Sequence, residues 1–226
     1  MVTGGPPRGT SGAAGGSGVG GAAPSDRQDP EAPGRREPSA PESVLLHACC
    51  APCSVYVLKA LFASFPGTTV LLWYFNPNIH PGAEYRRRRD ALAYLHARRD
   101  EFLPEGSDLR LDVSAPYRPD EFLAAAAADP RRPGRCSACY RLRMAAAARK
   151  AREAGAEAFS STLLYSRKQG HEAVRAAGEA AAEEDGGPPF LYRDFREGWK
   201  EGREIAGRLD VFRQNYCGCL YGELDN

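Results

Sequence analysis

From residue 43 onward, short apolar, β-branched or aromatic runs alternate with stretches whose apolar residues recur at helical spacing. That alternation restricts the fold more than any other feature of the chain. Val44-Leu45-Leu46-His47 is a candidate buried strand, and Ser54–Phe65 follows with Val57, Leu58, Leu61, Phe62 and Phe65 on a helical repeat. Thr68–Phe75 (TTVLLWYF), Leu109–Val113 and Ala158–Leu164 (AFSSTLL) read as further strands, with a short one at Phe190–Tyr192. Helices are expected over Glu84–Phe102, Pro119–Ala128, Ser137–Glu153, Lys168–Glu184 and Trp199–Leu209. Strands joined through helices pair in parallel, and a parallel sheet needs both faces covered. The expected fold is a single α/β domain, a Rossmann-like parallel sheet with helices on both faces. Ligands of such sheets sit beyond the carboxyl ends of the strands. The residues after His47, after Phe75 and after Leu164 are therefore the places to look for chemistry.

The first 41 residues contain no Leu, Ile or aromatic residue and are mostly Gly, Pro, Ala, Ser and Arg. They bury too little apolar surface to offset ordering entropy. Residues 1–41 are read as a disordered tail and 42–226 as the folded domain. Thirty Lys and Arg against 29 Asp and Glu exclude a strongly basic nucleic-acid coat, though not a local basic patch. No apolar run is long enough to span a membrane, and the first residues lack the pattern of a secretory signal. A reducing, cytoplasmic setting is expected, in which cysteines more often ligate metals or carry redox chemistry than form structural bridges.

The seven cysteines fall into three groups. Cys49, Cys50 and Cys53 lie where the first strand gives way to a helix, with Pro52 and Ser54 suited to a turn and an N-cap. A helix N-terminus favours thiolate there. Cys136 and Cys139 form a CxxC that suits zinc, an iron–sulfur cluster or a dithiol pair. Cys49, Cys50, Cys136 and Cys139 could supply four ligands. Adjacent cysteines diverge awkwardly for one tetrahedral ion and suit the separate irons of a cubane better. Cys217-Gly218-Cys219 would close a small, strained, easily reduced ring, a poor staple but a plausible two-electron reservoir.

Five stretches, LLHACCAPCS (45–54), YFNPNIHPGAEYRRR (74–88), RCSACYRLRM (135–144), FSSTLLYSRK (159–168) and FRQNYCGCLY (212–221), occur in an order that resembles the QueH-type, cobalamin-independent epoxyqueuosine reductase family. The resemblance implies a 4Fe–4S cluster on Cys49, Cys50, Cys136 and Cys139, and a redox-active pair at Cys217 and Cys219. It implies an oxidoreductase that performs the last step of queuosine synthesis, reducing the epoxide of epoxyqueuosine in the tRNA anticodon loop to the cyclopentene. It allows a second metal ion, an iron, near the cluster. Cys53 could ligate it or be a packed thiol, since the family admits Asp or Cys at that position.

Asn76, Asn78, His80 and Tyr85 are candidate substrate-binding residues, dense in hydrogen-bonding groups for a plain turn. His47 reads equally well as a satisfied buried residue. Tyr85, Tyr140, Tyr216, Asp90 and Asp194 are candidate proton donors. Arg86–Arg89, Arg98, Arg99, Arg131, Arg132, Arg135, Arg141 and Arg143 are read, as a group, as phosphate contacts, with Trp73, Tyr74 and Tyr85 as stacking platforms for flipped bases. The competing reading is a zinc-stabilised tRNA-binding module without catalysis, using the same four cysteines. A nucleotide-dependent enzyme would need a glycine-rich loop after the first strand, where this chain has cysteines and a proline. The electron donor is not legible in the sequence.

Overall fold

The computed structural model describes residue 5, residues 40–184 and residues 186–224. The expected tail, residues 1–41, lies outside the described residues except at 5, 40 and 41. Four strands, β1 (Ser43–His47), β2 (Thr69–Trp73), β3 (Asp108–Asp112) and β4 (Ala158–Ser161), form one parallel sheet in the order β3-β2-β1-β4. Seven α-helices connect and follow them among the described residues: α1 (Ala51–Ser64), α2 (Gly82–Ala97), α3 (Pro119–Ala126), α4 (Gly134–Glu153), α5 (His171–Glu184), α6 (Trp199–Arg208) and α7 (Leu220–Leu224).

The strand order explains the helix layers. The chain steps from β1 to β2 to β3 in one direction, then crosses back over to reach β4 on the far side of β1. Right-handed crossovers in opposite directions put their helices on opposite faces. The helices accordingly fall into two groups, α1 with α2 and α6, and α4 with α3 and α5. β1 lies between neighbours on both sides and under helices on both faces, so Val44 through His47 are all buried. β3, at one edge, alternates instead, with Asp108 and Arg110 facing solvent and bonded to one another. Such charge discourages edge-to-edge pairing. The edge of β4 is covered by 189–191: Leu191 N–H donates to Phe159 O at 2.7 Å, and Ser160 Oγ donates to Leu191 O at 2.9 Å.

Four local expectations need correction. α1 begins at Ala51, so Cys50 in extended conformation is its N-cap and Ser54 lies inside the helix, its hydroxyl bonded back to Cys50 O at 2.9 Å. α4 begins at Gly134, which places the whole CxxC within the helix. The fourth strand stops at Ser161; Thr162–Tyr165 is a 3-10 turn held by Leu163 N–H donating to Ser161 Oγ. Phe190–Tyr192 contributes one parallel bridge, to Phe159, and no strand. The small residues at 160–162 made this stretch read as continuous, but Ser161 caps the turn and ends it. α7 was not anticipated; five residues are too few for a helical period to register.

Gly178 on α5 offers a test of the packing. A methyl group there would come within 2.5–2.6 Å of three ring carbons of Phe190, whose ring packs on Phe159. Alanine favours a helix over glycine by about 1 kcal/mol, and overpacking costs about 1–3 kcal/mol. Gly178→Ala is expected to lower the urea midpoint; a raised midpoint would show the ring to be freely displaceable.

Candidate active site

Reversal of strand order at β1 leaves a crevice between the carboxyl ends of β1 and β4, the switch point of the sheet. Cys49 sits there. Its N–H donates to Thr162 Oγ1 at 2.9 Å, and the Thr162 hydroxyl reaches Cys49 Sγ at 3.1 Å, tying the two strand ends together. Asn76, just past β2, donates to Ala48 O at 2.9 Å and fixes the other side of the turn. The sulfurs of Cys49, Cys50 and Cys53 lie within 4.8 Å of one another, with Cys49 and Cys50 at 3.8 Å. These three cysteines could hold a metal ion: the donors are all soft sulfur, and they are largely shielded from water. They divide one charge. Bonds from Cys50 and Cys53 hold the Cys49 thiol well below its ordinary range against the cost of burial, with Arg143 and Thr162 assisting. The same bond pushes Cys50 up to about 12, and Cys53 rises for the same reason.

His47 is satisfied within the core. Burial, with Arg143 beside it, lowers its pKa to about 3, so it is neutral. Ser161 Oγ lies 2.8 Å from Nδ1 and Phe75 O lies 3.0 Å from Nε2. Because Ser161 Oγ already accepts from Leu163 N–H, the tautomer assigned has Ser161 donating to Nδ1 and Nε2–H donating to Phe75 O, which leaves the longer approach of Arg143 Nε to Nε2, at 3.4 Å, without an acceptor.

The second group lies on one face of α4. Cys136, Cys139, Tyr140 and Arg143 recur at three- and four-residue spacing. Burial raises the Cys139 thiol despite Arg143, whose Nη1 is 3.9 Å from its sulfur. The Tyr140 hydroxyl donates to Gln169 Oε1 at 2.9 Å and accepts from Gly170 N–H at 3.1 Å, anchoring the segment after β4.

The third group rests on the loop after β2. His80 N–H donates to Gly218 O at 2.8 Å; Arg88 Nη1 and Asn78 Nδ2 donate to Cys217 O at 3.0 and 3.4 Å. Gly218 has φ +101°, and a Cβ there would stand 2.8 Å from both Arg88 Nη1 and Ile79 Cγ1, so the position admits only glycine. The sulfurs of Cys217 and Cys219 lie 3.6 Å apart, without a bond between them. The Cys219 thiol donates to Cys217 and lowers its pKa to about 6 despite burial, with Arg143 and Arg132 contributing, while Cys219 itself is raised.

Cys217 is where the groups meet. It lines a cavity of about 120 Å³ with Cys49, Cys53, Arg88 and Arg143. It lines a narrow space with Cys136, Cys139 and Cys219. It also faces an open cleft of about 460 Å³ walled by Arg132, Cys136, Tyr140, Lys168 and Tyr216. Cys217 therefore adjoins both of the other cysteine groups, while the sulfurs close enough together to share one ion are those of Cys49, Cys50 and Cys53, without Cys136 or Cys139.

The other candidates are sorted by their surroundings. Asn76 is buried, its amide spent on Ala48 and on Arg143. Asn78 is buried with its Oδ1 unpartnered beside the space lined by Cys139 and Cys219. His80 is exposed, and the Tyr85 hydroxyl is held by Ala115 O at 3.1 Å. Trp73, Tyr74 and Tyr85 are core, not stacking platforms; of the tyrosines that line the cleft, Tyr140 is as buried as they are and Tyr216 is half-buried. Arg88, Arg135 and Arg143 are buried and do not face solvent, whereas Arg86, Arg87, Arg131, Arg132 and Arg141 do. Asp90 and Asp194 are taken by Arg89 and Arg196, and neither lines the cleft. Thr162, Lys168 and Gln169 escaped the sequence reading. Their one signal is their place after the fourth strand.

Fold and site together define a cysteine-rich α/β protein with a metal-capable thiol group at the switch point of its sheet. A sequence model described as Epoxyqueuosine reductase QueH matches residues 44–225. The chain is 36% identical over 182 residues to the Epoxyqueuosine reductase QueH of Dehalococcoides mccartyi, covering 80% of this chain and 93% of the relative. It is 33% identical over 213 residues to that of Haemophilus influenzae, covering 88% and 81%. For the Thermotoga maritima protein of the same name the figures are 31% over 191 residues, 81% and 91%. The chain belongs to the QueH epoxyqueuosine reductase family. No helix among the described residues is long and apolar enough to cross a membrane.

In reduced, metal-free protein, alkylation of Cys217 is expected to rise with pH as the thiolate forms and to reach half its plateau near pH 6. A rate still climbing through pH 9, read by peptide mass spectrometry, would contradict the bond from Cys219.

Proposed function

We propose that this chain reduces epoxyqueuosine in tRNA to queuosine. The single observation that supports it most is the position of Cys217, which faces an open cleft on one side and the other two cysteine groups on the other. Cys49, Cys50, Cys136 and Cys139 would hold a 4Fe–4S cluster, with Cys53 available to a second metal ion. The donor chemistry fits: four thiols from two elements, with Cys49 disposed to ionise. When bound, such a cluster supplies one-electron transfer and a Lewis-acidic iron. The catalytic domain is read as residues 42–226.

The chain's own residues account for the balance. Opening the epoxide to an alkene and water consumes two electrons and two protons. Oxidation of the Cys217 thiolate and the Cys219 thiol to a disulfide releases two electrons and one proton, and solvent supplies the second proton. Cys217, with its lowered pKa, is the thiolate, and Cys219 carries the proton it donates. An external reductant restores the pair. The cleft is large enough for a nucleoside. Half-buried Tyr216 offers a face for a flipped base, and Arg132 and Lys168 offer charge to its phosphates. Exposed Arg86, Arg87, Arg131 and Arg141 extend the cationic surface available to the anticodon loop.

Anaerobically reconstituted protein, given epoxyqueuosine-bearing tRNA and a reductant, is expected to remove one oxygen from the nucleoside, read by mass spectrometry. It should be brown and carry about four irons per chain. Cys217→Ser is expected to keep the iron and lose at least about 100-fold in rate, on the scale of removing a principal reacting group. Zinc alone, with tRNA binding and no oxygen loss, would instead establish the non-catalytic module.

A further inference from the structure

Arg143 is about 4% exposed, and among the described residues no carboxylate lies within ion-pair distance of it. The contrast with Arg88, equally buried but bonded to Glu84 at 2.7 Å, is direct. A guanidinium does not lose its proton in a protein, and a buried charge requires an opposite one nearby. The neutral groups around Arg143 do not supply it. Nη2 donates to Asn76 Oδ1, and Nε lies 3.4 Å from the neutral His47 ring. What remains is sulfur. Nη1 is 3.9 Å from Cys139 Sγ, and the side chain lines the cavity of Cys49, Cys53 and Cys217 as well as the space of Cys136, Cys139 and Cys219.

We propose that Arg143 is a positioning residue whose charge is the fixed counter-ion of the thiolates where the three cysteine stretches adjoin and raises the reduction potential of the metal centre that Cys49, Cys50, Cys136 and Cys139 would hold. The inference rests on the cluster assignment made above. Its place in the fold is suited to the task. Seven residues after Cys136, it shares the cysteine face of α4, and through Asn76 it is bonded to the carbonyl of Ala48, the residue before Cys49. The reduced form of an iron–sulfur cluster carries one more negative charge than the oxidised form, so a permanent cation beside its ligands favours reduction. The same cation favours the thiolate of Cys217.

Two measurements on Arg143→Gln and Arg143→Lys test it, each accompanied by a thermal melt. In the first, the cluster of the anaerobically reconstituted protein is titrated with EPR detection. Arg143→Gln is expected to lower the midpoint by at least the tenfold change in equilibrium that 59 mV represents for one electron. Arg143→Lys, which keeps the charge and loses the fork, should stay closer to the wild type than to the glutamine variant. An unchanged midpoint in Arg143→Gln overturns the proposal. In the second, Cys217 is alkylated at pH 7 in reduced, metal-free protein. Arg143→Gln is expected to slow it at least threefold and lysine to restore it; equal rates in all three forms overturn the counter-ion role. If the wild type takes up no cluster, the metal assignment fails and the alkylation comparison alone decides for or against Arg143. If Arg143→Gln does not fold, Arg143→Lys decides: wild-type values support the proposal, and a folded lysine variant with a lowered midpoint and slowed alkylation overturns it.

Discussion

Everything in this structure depends on β1 lying between β2 and β4. With β1 in the centre and all four strands parallel, the chain must leave each strand at the same end of the sheet. The reversal of direction then opens a crevice where β1 and β4 part. The Cys49 turn and Thr162 close it with a pair of short contacts. The other cysteine stretches reach that crevice by different means. α4 arrives because the crossover from β3 to β4 lays it against β1 and β4, and the C-terminal segment arrives because the loop after β2 and Arg88 of α2 hold its backbone by hydrogen bonds.

The thiols are chemically unequal because of who donates to whom. Within each close group, one sulfur accepts from its neighbours and ionises while they keep their protons. Cys49 is that sulfur in the first group, and Cys217 in the third. This arrangement lets a crowded site hold several thiols without crowding charge, since like charges at such distances strongly oppose one another. Around them, neutral His47 and the amide of Asn76 spend their hydrogen bonds on the frame, which keeps the cysteine turn rigid.

Much of the fold was legible because its strands are short, continuous and apolar and its helices are periodic. Boundaries slipped where side chains compete with the backbone: Ser161 ended a strand that its neighbours seemed fit to continue, and Cys50, with no capping side chain, still began a helix that Pro52 preorganised. The cysteines were legible as three groups because their spacing carries chemistry. The loop at 76–81 was legible as unusual and misread in emphasis. The Asn78 amide and the His80 backbone hold the third cysteine stretch in place, and a contact between residues some 140 apart in sequence leaves no local mark. Aromatics could not be sorted into core and cleft from sequence, since Tyr74 and Tyr216 differ only in what folds over them.

In the proposed reaction, two electrons stored on neighbouring thiols beside the metal-capable group reduce a substrate held in the open cleft. A single turnover without external reductant tests it most directly. Fully reduced protein is mixed with one equivalent of epoxyqueuosine-bearing tRNA, quenched with acid and digested, and disulfides are mapped against oxygen removed. One Cys217–Cys219 bond is expected for each oxygen lost. Oxygen loss with both thiols still free would contradict it.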